Sequence, residues 1–225
     1  MKYIYVLLIA LVLSSCGSVS TKFKSEFPID SHSRQIEIGS MEAQFDQALP
    51  FTKLQKDDVK VSYYPDEDLV CLQFRREFIT YYQYWYRTGR QTFLNSLERY
   101  KTDYESRRLP KKNKSASEYG KVECFLVWET LNISSKGRSF PKVDIGYLLK
   151  DNSPYFTLSQ MDAENVDIST QRDKEKNNRQ ILHFTRAQAD DLALIFNQDN
   201  LNSLPLNAAK ENNNSLLQNL KDLFK

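Results

Sequence analysis

Histidine is nearly absent from this chain of 225 residues: only His32 and His183 occur. No Cys-x-x-Cys and no H-E-x-x-H is present, so a zinc site built on those ligands is excluded. Glycine is scarce as well. The six, Gly17, Gly39, Gly89, Gly120, Gly137 and Gly146, never cluster, which leaves no G-x-G-x-x-G and no P-loop to cradle a phosphate. There is no G-x-S-x-G nucleophile elbow. An excess of one charge is also missing. The 31 Lys and Arg residues face 29 Asp and Glu, so the electrostatic footprint of a nucleic-acid binder is lacking. Nothing in the pattern calls for a metal or other cofactor. Long apolar runs are absent with one exception, Ile4 to Leu13. As a helix this run would cover about 15 Å, half the thickness of a bilayer core, and so it is too short to span one.

What is present begins with that run. A short basic start, Met1-Lys2, precedes it, and Leu13-Ser14-Ser15-Cys16 closes it. Order and length are those of a cleavable export signal. The closing tetrad resembles the lipobox of bacterial lipoproteins. The resemblance covers the first sixteen residues and implies that residues 1–15 are removed. It implies a diacylglyceryl group on the thiol of Cys16 and acylation of the new amino terminus. Two or more acyl chains anchor stably where one does not. The expected partner is therefore a membrane, reached through lipid on Cys16, and the expected location is the cell envelope. Because Gly17 follows the cysteine, the resemblance implies sorting to the outer rather than the inner membrane.

Residues 16–34 are polar and aperiodic, and read as a tether with a root-mean-square span of roughly 23 Å. Residues 35–200 suit a single domain, and 201–225 an Asn-rich tail. In that tail Leu216, Leu217, Leu220, Leu223 and Phe224 mark a short amphipathic helix. Val59 to Tyr64, a turn at Pro65-Asp66-Glu67-Asp68, and Leu69 to Phe74 read as a β-hairpin, after a short strand at Ile36-Glu37-Ile38. Phe93, Leu94, Leu97, Tyr100 and Tyr104 give a helical stripe over residues 88–106. Phe78 to Tyr86 fits either a strand or a continuation of that stripe, and its β-branched and aromatic content favours the strand. Val122 to Trp128, Val143 to Leu149, Tyr155 to Leu158 and Ile181 to Phe184 read as further strands, with a turn at Ser135-Lys136-Gly137. Asp162 to Gln180 reads as an exposed excursion. Thr185 with Gln188 has the spacing of a capping box, and Ala189, Leu192, Ala193 and Phe196 follow as a buried stripe. The expected fold is α+β: an antiparallel sheet of five to seven strands with two main helices packed against it.

Few residues carry chemistry. With Cys16 lipidated, Cys71 and Cys124 remain, either as a disulfide in an oxidising compartment or as two buried thiols. Glu123, Glu129 and Asp144 are the carboxylates that a glycan hydrolase would need to bring together. His183, inside an apolar run, reads as a structural histidine. Arg107 to Lys114 holds five basic residues in eight and reads as a solvated loop. The aromatic density at Tyr81, Tyr84, Trp85 and Tyr86 marks either a central strand or an exposed patch for a protein or glycan partner. The expected function is a non-catalytic, membrane-anchored envelope module that binds a partner or serves a structural role. Its rivals are an envelope glycan hydrolase and a carrier of an apolar ligand.

Overall fold

A computed structural model describes residues 29, 33–46, 53–110, 118–130, 136–166 and 177–204. The chain divides into two units, Met1–His32 and Ser33–Lys225, and the fold below is that of the second. The leader, Cys16, nearly all of the tether, Lys111 to Lys114 and the amphipathic tail lie outside the described residues.

Ten strands form one antiparallel sheet. They are β1 (Ile36–Asp46), β2 (Leu54–Tyr64), β3 (Leu69–Arg76), β4 (Ile79–Trp85), β5 (Gly120–Glu123), β6 (Phe125–Thr130), β7 (Lys136–Ser139), β8 (Lys142–Lys150), β9 (Ser153–Gln160) and β10 (Gln180–Phe184). The order across the sheet is β5-β8-β9-β10-β1-β2-β3-β4-β6-β7. Among the described residues three helices accompany it: α1 (Arg87–Glu105), α2 (Arg186–Phe196) and α3 (Gln198–Asn202). The expected α+β arrangement of five to seven strands with two main helices is thereby overturned. The protein is mostly sheet.

The missed strands have physical reasons. In β1 a bulge lies between Glu37 and Gly39, and Gly39 takes a φ of 143°, open to glycine and strained for other residues. The core positions are Ile36 and the bulge residue Ile38 on one side but Met41, Ala43 and Phe45 after it. The alternation changes phase at the bulge, so a period-two reading stops after three residues. The first half of β2, Leu54 to Asp58, has no buried side chain, yet it pairs with β1 throughout. The region read as a turn at Lys136-Gly137 is strand β7, where Gly137 lies opposite Trp128.

β5 and β6 are one bent strand, as are β7 and β8. Glu123↔Lys142 and Leu126↔Ser139 are three residues apart on each side, so the register does not shift. The Cys124 N–H donates to the Pro141 carbonyl at 3.2 Å and carries the ladder through the bend. Both ends of the order are protected, as edges must be. Along β5 runs α1, whose Arg99 donates to the Tyr119 carbonyl at 2.9 Å. Along β7 the Val166 N–H donates to the Arg138 carbonyl at 2.7 Å.

The sheet curls into a half-barrel. Gln83 on β4 donates to Gln160 on β9 at 2.8 Å although the two strands stand five places apart in the order. In a flat sheet about 24 Å would separate them. The helices fill the concave face. Phe93 of α1 packs on Phe156 and on Phe196 of α2, with centroids 5.5 and 4.9 Å apart, and Trp85 packs on Phe196 at 5.1 Å. Thr185 and Gln188 form the capping box expected for α2. Arg90 of α1 is buried, and its guanidinium donates to the Asp68 carbonyl and carboxylate, the Trp85 carbonyl and the Gln198 side chain. Such matching is what makes a buried cation tolerable.

Candidate functional site

The residues singled out in the sequence do not converge. Tyr81 and Trp85 are buried in the concave core, with 1% and 0% of their surface exposed. Tyr84 is buried on the opposite face against Tyr64 and Phe125, and Tyr86 sits half-buried at the start of α1. None of the four presents an exposed patch. Among the described residues the exposed aromatic is Phe78, in the tight turn between β3 and β4.

Cys71 and Cys124 are both free and buried. Cys71 pairs with Tyr84, and Tyr84 pairs with Phe125, so β4 lies between the two cysteine-bearing segments. Two strand spacings amount to about 9.5 Å, beyond the roughly 7 Å that a disulfide can bridge between Cα atoms. Burial pushes both thiols well above their ordinary pKa. Of the alternatives left open, two buried thiols is the one the geometry fits.

Each carboxylate considered for glycan hydrolysis faces a lysine across its strand pair. Glu123 lies opposite Lys142, Asp144 opposite Lys121 and Glu129 opposite Lys136. The last two are ion pairs at 2.9 and 2.7 Å. These are cross-strand charge pairs, and no two of them line a common cleft.

A different cluster does converge, around His183 and Asp46. By strand alternation His183 points to the face opposite its core neighbours Leu182 and Phe184, and it is fully buried. Its Nε2 lies 3.2 Å from Asp46 Oδ2 at the end of β1. A carboxylate only accepts, so Nε2 is the donor of this hydrogen bond. Lys150 of β8 reaches the other oxygen of Asp46 at 2.5 Å, across two intervening strands. The hydrogen bond from His183 and the Lys150 ammonium hold the Asp46 carboxyl well below the usual carboxylate range, against the opposing effect of burial. Thr157 sits directly opposite His183, and neither Thr157 Oγ1 nor His183 Nδ1 has a hydrogen-bond partner. The register sets carboxylate, imidazole and hydroxyl in the order of a nucleophilic relay, without a hydrogen bond between the last two. However, both Thr157 and His183 have no exposed surface. A nucleophile must meet its substrate, and this hydroxyl is sealed.

Asp46 also forms one wall of a cleft of about 200 Å³, lined besides by Phe45, Arg76, Arg179, Gln180 and Ile181. Arg76, at the end of β3, donates to the Asp46 carbonyl at 2.6 Å and lies over the Phe45 ring at 4.7 Å. Gln180 donates to the Tyr81 hydroxyl at 3.3 Å behind the cleft. A larger open groove along α1 is lined by Glu98, Arg99, Thr102, Asp103 and Arg108; Arg108 pairs with Asp103 at 3.1 Å and Glu98 with Lys101 at 3.5 Å, while Arg99 donates to the Tyr119 carbonyl. No group of three or more metal-ligating side chains occurs among the described residues. Asp46, Lys150, Arg76 and Arg179 went unnoticed in the sequence. They stand at strand ends, where charged residues are ordinary, and no local spacing marks them.

Fold and site together define an antiparallel β-meander with helices on its concave face, carrying a small cationic cleft at one end of strands β1, β3 and β10. The chain belongs to the family described as "Uncharacterised Treponema protein", whose model matches residues 20–203. No curated protein and no solved structure matches it.

Proposed function

We propose that the protein is a lipid-anchored component of the bacterial cell envelope, whose folded part is a binding or structural module rather than an enzyme. One observation carries this reading: the leader ending in Leu13-Ser14-Ser15-Cys16, in which apolar run, small residues and cysteine follow at lipobox spacing. The family match starts at residue 20, past that cysteine, so the motif and the family are independent features of the chain. Anchoring would hold the folded part near the membrane on a tether ending near Arg34, with an envelope protein or glycan within reach. Two features of the described residues weigh against the rival readings. The dispersed, lysine-paired carboxylates do not suit a hydrolase, and a concave face filled by aromatic rings does not suit a carrier of an apolar ligand.

The test is Cys16→Ser in the native host. Metabolic labelling with a radioactive fatty acid should disappear, and a heavier precursor should accumulate. Continued labelling, or normal processing and membrane retention of the variant, would overturn the proposal.

A further inference from the structure

The cleft at the ends of β1, β3 and β10 carries more positive charge than its surroundings use. Asp46 is its single acidic wall, and both carboxylate oxygens are occupied, one by Lys150 and the other by His183. Arg76 satisfies one guanidinium nitrogen on a neutral carbonyl and sits over the Phe45 ring, and its charge meets no carboxylate among the described residues. Arg179, exposed at the entry to β10, has no ion pair there either. Two guanidinium groups that no acid among the described residues neutralises therefore line one concavity. Its other walls are the Phe45 ring, Ile181 and the amide of Gln180.

We propose that this cleft binds a phosphate-bearing group, with Arg76 and Arg179 as the recognising residues. Guanidinium is planar and presents paired donors that match the oxygens of a phosphate two at a time. Two such groups suit an anion with three or four acceptor oxygens better than a carboxylate with two. The Arg76 fork is held in orientation by its carbonyl bond and its ring contact, so little freedom is lost when an anion arrives. A volume of about 200 Å³ takes the phosphate and a few attached atoms and leaves the rest of the molecule outside. The ligand is thus a terminal phosphate on something larger, either a lipid headgroup or a soluble phosphorylated compound. The proposal stands apart from the anchor, because neither arginine belongs to the leader.

The experiment is isothermal titration calorimetry on the full chain in a phosphate-free maltoside detergent. The probes are inorganic phosphate, glycerol phosphate, monomeric dihexanoyl phosphatidic acid and citrate. The phosphate-bearing probes should bind at one site. Arg179→Ala, an exposed change that leaves the fold intact, should weaken them at least about tenfold, since a hydrogen bond to a charged group is lost. Arg179→Lys should recover part of the loss by restoring the charge without the fork. Tighter binding of the lipid probe than of glycerol phosphate assigns the site to headgroups, and equal or weaker binding assigns it to soluble phosphates. The proposal is overturned if no phosphate probe binds at about 10 mM, if Arg179→Ala binds as well as wild type, or if citrate binds where the phosphates do not.

Discussion

Replacing Gly137 by alanine puts a single methyl group where the fold has no room for one. Gly137 on β7 lies opposite Trp128 on β6, and the indole covers the glycine. A Cβ there would come 1.9 Å from Trp128 Cζ2, 2.1 Å from Cε2 and 2.6 Å from Cη2. Carbon atoms in contact stand about 3.5–4.0 Å apart, so ring or strand must give way by roughly 1.5–2 Å. Trp128 belongs to the concave core and is 4% exposed, so the ring cannot swing into solvent without leaving a void. Overpacking a core costs about 1–3 kcal/mol. Losing a buried Trp side chain outright costs about 3–5 kcal/mol. Gly137→Ala should therefore destabilise by about 2–3 kcal/mol. Guanidinium unfolding followed by far-ultraviolet circular dichroism measures it without relying on the displaced fluorophore. The control is the same change in a Trp128→Leu background. There the clash is gone, and alanine should be neutral or better than glycine, by up to about 1 kcal/mol. A loss within about 0.5 kcal/mol of zero, or an equal loss in both backgrounds, would refute the steric argument.

Two further outcomes follow from the ionisable groups. Asp46 has its carboxyl pKa depressed in the folded state, first by the His183 hydrogen bond and then by Lys150, so its contribution to stability is complete above its ordinary value of 3.8 and drains away as the pH falls below it. Denaturant midpoints measured between about pH 6 and pH 3 should fall with acid in the wild type and fall less steeply in Asp46→Asn; parallel curves would contradict the assignment. Cys71 and Cys124 are buried, with pKa values pushed up by burial, so neither should react with a maleimide until the chain is unfolded. Mild oxidation should likewise produce no internal cross-link, and a faster-migrating non-reduced band that requires both cysteines would count against the strand order.

How much of the fold the sequence discloses depends on where its periodicity survives. The stripe Phe93, Leu97, Tyr100 is intact, and α1 runs from Arg87 to Glu105, within a residue of the expected span. The capping box at Thr185 is equally local, and it forms. Strands fare worse because their signal is a phase, and a phase is lost by one inserted residue. Ile38 does this in β1, and the exposed polar half of β2 never had an apolar face to display. Strand β7 fails for the opposite reason. Its glycine is a turn signal in isolation and a strand residue only because Trp128 occupies the space above it. The aromatic segment from Ile79 to Trp85 becomes a strand with neighbours on both sides, which is why rings point to both of its faces.

The candidate site is less legible still, and the cause is sequence separation. His183 and Asp46 are 137 residues apart, and Lys150 stands 104 from Asp46. Short motifs report groups that one turn or one strand brings together, and here three strands and the curl of the sheet do it. Composition misleads in a second way. Near-equality of acidic and basic residues argues against a strongly charged partner, but it is a sum over the whole chain. In the second unit many lysines are spent locally, on Glu42, Glu129, Asp46, Asp144 and Asp190. What such pairing leaves over is positional: two arginines on the same small cleft whose charge no acid among the described residues meets. A neutral total is thus compatible with a local anion site, because affinity for a small ion is set within a Debye length of about 8–10 Å and not by the balance of the molecule.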